Sequence, residues 1–127
     1  MGYERTGPGN FEVRYATVED MDPKVQAALL QNLEHDLATA PASVLFVVET
    51  MSVPRAVPEF WLTVTKRHAP RLCAMAIVSD HLAVRTAASG FSVANRIRNV
   101  KLEVKSFHKN ELEAARSWCR AARLKPA

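Results

Sequence analysis

Glycine is scarce in this chain, with four among 127 residues and three of those before residue 10. A phosphate-cradling loop needs several glycines in one turn ahead of a helix, so a P-loop or dinucleotide site is excluded. Cysteine is scarcer still, only Cys73 and Cys119. Two thiols make no disulfide framework, which points to a reducing cytoplasm. No apolar run approaches the roughly 18 residues of a membrane span. The opening Met1-Gly2-Tyr3-Glu4-Arg5 lacks a basic patch followed by an apolar stretch, so no secretory signal is expected. Gly2 and Thr6 match the bare myristoylation pattern, which is too short to carry weight alone.

Chemistry-bearing sets are missing as well. His35, His68, His81 and His108 fall on four separate predicted elements, with no pair at the helical step that metal ligands use. Cys73 begins an apolar segment and Cys119 adjoins Trp118, so both read as packed thiols rather than nucleophiles. The acids Glu19-Asp20 and Glu111 with Glu113 suit helix N-termini better than an acid–base couple. No enzyme, metal or cofactor is expected.

What is present is ordinary globular material: 48% hydrophobic and 24% charged residues, enough for one domain with its own core. With no linker or repeat, a single domain is expected over 1–127, with short flexible ends at about 1–2 and 125–127. Charge is unevenly spread. Residues 1–62 carry nine acids against four bases, and residues 63–127 thirteen bases against four acids. The basic side chains Arg96, Arg98, Lys101, Lys105, Lys109, Arg116, Arg120, Arg123 and Lys125 could form an anion- or nucleic-acid-binding patch. Aromatics do not interleave with them, so a nucleic-acid partner is not the expectation.

Hydrophobic periodicity orders the elements. Tyr3–Thr6 reads as a short edge strand, Gly7-Pro8-Gly9-Asn10 as a turn, and Phe11–Ala16 alternates like a strand with one wet face. Asp22-Pro23 starts a helix that carries Val25, Leu29, Leu33 and Leu37 at four-residue steps, with Leu30 and Ala40 beside them, and Pro41 closes it. Val44–Val48 is an unbroken apolar run, the mark of a strand buried on both faces of a parallel sheet. A connection from Met51 leads to a helix opening near Pro58, with Val57, Phe60, Trp61 and Val64 on its stripe, ended by Pro70. Cys73–Val78 is a second buried strand. Ser79-Asp80 caps a helix expected to bury Leu82, Ala87, Ala88, Phe91 and Ile97, with Gly90 permitting close packing on the sheet. Lys101–Phe107 alternates again, and a last helix from about Lys109 spaces Leu112, Ala115, Trp118, Cys119 and Ala122 helically. The order ββαβαβαβα predicts an α/β fold: a mixed, mostly parallel four- to five-stranded sheet flanked by four helices. Val44–Val48 and Ala74–Val78 are its expected adjacent central strands.

That order, with Val78-Ser79-Asp80, Arg85, Ala88, Phe91, Asn95-Arg96, Val104-Lys105-Ser106-Phe107, Glu111, Ala114 and Trp118, resembles the STAS domain family (sulfate transporter and anti-sigma-factor antagonist), above all its stand-alone bacterial members. The resemblance implies a regulatory module that binds a protein partner or itself as a homodimer. In that family a phosphorylatable Ser or Thr sits after the first buried strand in an Asp-Ser/Thr-Ser-Gly type turn. The corresponding stretch here, Glu49-Thr50-Met51-Ser52-Val53-Pro54-Arg55-Ala56, has no Asp-Ser pair and no glycine. Thr50 and Ser52 remain candidate phosphate acceptors near a helix N-terminus, and Ser52, Arg55, Phe60 and Trp61 are the candidate partner-binding residues. Phe60 and Trp61 are neighbours about 100° apart on a helix, so either one packs on the sheet and the other edges a groove, or both fit one broad buried stripe. Similarity in outline to the lipid-carrying SEC14 fold offers an alternative, a carrier of a small apolar or lipid-like ligand.

Overall fold

In the computed structural model the described residues are 2–7, 9–37, 41–51, 53–68, 71–97 and 102–124, with individual side chains among them left undescribed. An opening hairpin pairs β1 (Gly2–Gly7) antiparallel with β2 (Asn10–Tyr15). Gly9 takes a positive φ of 72° in the connecting turn, a conformation glycine adopts without steric cost. Then follow α1 (Pro23–Leu37), β3 (Ala42–Val48), α2 (Ala56–His68), β4 (Leu72–Val78), α3 (Leu82–Ile97), β5 (Glu103–Phe107) and α4 (Leu112–Leu124). Short 3-10 turns at Val18–Met21 and Lys109–Glu111 precede α1 and α4.

The five strands lie in chain order, β2 to β5 all parallel, so the sheet is mixed and mostly parallel as expected. β3 and β4 are adjacent and β3 is buried along its whole length. Right-handed crossovers that always step to the next strand on the same side must put every crossing helix on one face. The core bears this out. Leu29 and Leu33 of α1, Val57, Trp61 and Val64 of α2, and Val84 and Phe91 of α3 form one cluster with Phe11, Val13, Tyr15, Val44, Phe46 and Met75. Among the described residues only α4, which follows the last strand, covers the opposite face. There Ala115 and Cys119 pack with Leu45, Val47, Ala76, Val78 and Phe107.

Local signals act as the sequence indicated in several places. Asp22 accepts a hydrogen bond from Lys24 N at the start of α1 (2.8 Å), and Ser79 accepts one from His81 N at the start of α3 (3.1 Å). Asp80 turns away from the helix and accepts Lys109 N (3.0 Å), tying the end of β4 to the end of β5. The β3–β4 register shifts between Ala42 and Ser43, which leaves Cys73 as the additional residue on β4 and only half-buried.

Three expectations need correction. The buried stripe of α3 is Val84, Ala88, Phe91 and Asn95, whereas Leu82 and Ile97 are 72% and 76% exposed. Each stands two residues, about 200° of helical turn, from a member of that stripe and so falls on the opposite face. Gly90 is exposed and an added Cβ would meet nothing within 4 Å, so it serves no close approach. Finally, α2 starts at Ala56 rather than at Pro58.

Candidate functional site

The C-terminal ends of β2, β3 and β4 meet beneath the loop from Glu49 to Arg55, between α2 and α3. Parallel sheets place their ligand-binding loops at this end. Here the described residues line an apolar cavity of about 80 Å³ that is partly open to the surface, among them Tyr15, Phe46, Val53, Trp61, Ile77 and Phe91. The lining is almost wholly carbon, so the cavity favours an apolar occupant and does not hold water well.

Trp61 stands at the centre of this site. It is 3% exposed and packs edge-on against Phe46, centroids 4.8 Å apart. Its indole Nε1 donates to the Tyr15 hydroxyl (3.2 Å), which in turn donates to Gln26 Oε1 of α1 (2.7 Å). One polar chain thus joins α2, β2 and α1 behind the cavity wall. Burial, the largest influence, holds the Tyr15 phenol above its ordinary pKa, outweighing the bond it accepts from Trp61. The phenol therefore stays neutral and keeps both bonds. Phe60 is half-buried and meets Trp61 edge-on at 5.3 Å. The two aromatics divide, Trp61 inside and Phe60 at the margin.

The loop above presents different chemistry. Met51 is 75% exposed, a large apolar side chain held in water. Arg55 is exposed and forms an i,i+4 ion pair with Glu59 (3.1 Å) on the first turn of α2. Glu49 pairs with Arg14 of β2. The Thr50 hydroxyl is shielded from solvent and has no hydrogen-bond partner. Ser52 lies outside the described residues. Leu82, at the neighbouring β4–α3 connection, adds a second exposed apolar side chain at the same end of the sheet.

The described basic residues lie on both sides of the sheet. Arg116 on α4 forms a two-pronged ion pair with Glu12 of β2 (2.7 and 3.1 Å) and also contacts Glu113. Hydrogen bonds to Glu12, ahead of all other influences, raise the Arg116 pKa further. Arg96 lines the α3 side of the sheet, while Lys105 lies over the Phe107 ring on the α4 side (5.2 Å). Arg98, Lys101 and Lys125 lie outside the described residues, as does the Arg123 side chain. Burial pushes the Cys119 thiol up to about 12, which favours the protonated thiol at neutral pH. Among the described residues no three His, Cys, Asp or Glu side chains gather as a metal site would require, and no helix is long and apolar enough to cross a membrane.

A family profile described as SpoIIAA-like matches residues 12–120, from the middle of β2 into α4. The chain belongs to the SpoIIAA-like family. This is a family of STAS-like anti-sigma-factor antagonists, and the five-stranded sheet with four helices agrees with the STAS fold. No curated protein and no solved structure matches the chain. Family membership makes the chain a regulatory type of module and ties its interest to protein–protein contact in general. The cavity behind Trp61 was not legible in the sequence, because it arises where three strand ends and two helices fail to close on one another. Trp61 itself was a candidate, picked out by its adjacency to Phe60.

Proposed function

We propose that this protein is a non-catalytic regulatory module of the antagonist type that docks a protein partner on the Thr50–Arg55 loop and the start of α2. The observation that carries this reading is the exposed Met51 on a loop whose Val53 lines an apolar pocket. An anchor side chain seated in a dry pocket is how partners commonly gain affinity. Arg55 and the margin of Phe60 supply polar and aromatic contacts around that anchor. Modification by phosphate belongs to Ser52 more readily than to Thr50, whose hydroxyl would have to leave its shielded position.

The cavity also favours a second reading, the carrier of a small apolar or lipid-like ligand. Size decides between them. An engineered cavity of about 150 Å³ takes a benzene molecule, and this one is about 80 Å³. It accepts one branched apolar side chain and would have to open substantially for a lipid chain.

A photo-crosslinking amino acid placed at Met51 or Phe60, and separately at Glu113 on the far helix, tests the docking reading in host cells. The expected result is one protein adduct from positions 51 and 60 and none from 113. Equal yields from all three would overturn it. An apolar ligand copurifying stoichiometrically in native mass spectrometry would transfer the site to the carrier reading.

A further inference from the structure

The geometry points to a second interface, on the outer edge of β5, where we propose that two copies of this chain pair antiparallel through Val104. Ser79 N donates to Phe107 O (3.0 Å), so the backbone groups of Phe107 face β4. Backbone direction alternates along a strand. Lys105 and Glu103 therefore face β4 as well, and the N–H and C=O of Val104 and Ser106 point outward. Among the described residues no strand lies beyond β5. An outward row of donors and acceptors that no described strand takes up is a template for another strand.

The side chains select the occupant and the register. Glu103, Lys105 and Phe107 project on the α4 face, and Val104 and Ser106 on the α3 face, where they line a groove with Ser89, Ser92, Val93 and Arg96. A two-fold axis perpendicular to the sheet keeps the faces matched, so only residues of one face oppose each other. Centring the pair on Lys105 sets two lysines directly opposite, which is unfavourable. Centring it on Ser106 sets Lys105 against Phe107 and makes no ion pair. Centring it on Val104 exchanges both Val104 hydrogen bonds across the axis and sets Glu103 opposite Lys105 twice. The strand is complementary to its own copy in that register. Val93 of α3, 49% exposed, lines the groove beside Val104 and Ser106 and offers apolar surface to the contact.

Five residues of strand bury little area, so the dimer is weak and concentration-dependent. Sedimentation equilibrium over a broad concentration range tests it, with the wild type expected to pass from monomer to dimer. Glu103→Lys or Lys105→Glu alone turns both attractive pairs repulsive and should weaken the dimer about tenfold or more. The double exchange E103K/K105E restores the pairing and should recover the wild-type constant. Val104→Pro removes an outward N–H that the monomer does not use in its ladder and should leave folded monomer by circular dichroism. A wild type that stays monomeric at millimolar concentration overturns the proposal, as does a dimer that the single charge changes and the proline leave intact.

Discussion

The two faces of the sheet are built differently. Under α1, α2 and α3 the side chains are large: Phe11, Tyr15, Phe46, Trp61, Met75 and Phe91. Under α4 the contact layer includes Ala76, Ala115 and Cys119, all nearly solvent-free. Small residues let a single helix approach closely, and the Ser43 hydroxyl reaches the Cys119 carbonyl (3.0 Å). Large rigid rings interlock less completely, and the apolar cavity lies on their side. The comparison teaches that one sheet can combine a close-packed structural face with a looser receptive one, and that the receptive face is where helices are most numerous.

Substitutions can break that contrast. Trp61→Ala removes the largest ring of the receptive face and leaves the Tyr15–Gln26 chain without its donor. It should cost about 3–5 kcal/mol in urea unfolding. On the tight face, Ala76→Leu has no room and should cost roughly 1–3 kcal/mol, whereas Ala88→Leu, beside the cavity, should change stability by less than about 1 kcal/mol. Equal penalties for the two would erase the distinction between the faces.

Arg116→Met tests how α4 is held at its margin. Glu12 is mostly buried and would lose its two charge-assisted bonds, a cost of about 2 kcal/mol at neutral pH. Tyr15→Phe strands Trp61 Nε1 and Gln26 Oε1 and should cost about 1–2 kcal/mol.

The thiol of Cys119 gives the smallest effect near neutrality and a pH signature. Its folded pKa of about 12 lies above the unfolded value of 9.0. The unfolded chain therefore releases this proton first, and stability falls as pH rises from about 9 toward 12. Cys119→Ala should flatten that decline in chemical unfolding followed across the alkaline range. An unchanged slope would show that the thiol is not shielded by α4.

Much of the architecture was readable because burial imposes pattern. Val44–Val48 had to be a strand covered on both faces, and the four-residue steps of Leu29, Leu33 and Leu37 had to face a core. The phase of α3 was less legible: Leu82 and Ile97 are apolar, yet they lie about 200° of helical turn from the buried stripe. The Glu12–Arg116 pair joins residues 104 apart in the chain, and no local signal foretells it. The cavity is a failure of packing rather than a pattern. Sequence periodicity records which residues turn inward, and not how well they meet.

Xenon under pressure, followed by methyl NMR, probes the difference between the faces most directly. Xenon enters dry apolar cavities. Saturable shifts are predicted at the methyls of Val57, Ile77 and Val84, with little change at Leu45 and Val47 across the sheet. Shifts of equal size on both faces, or none at the cavity methyls, would contradict the account.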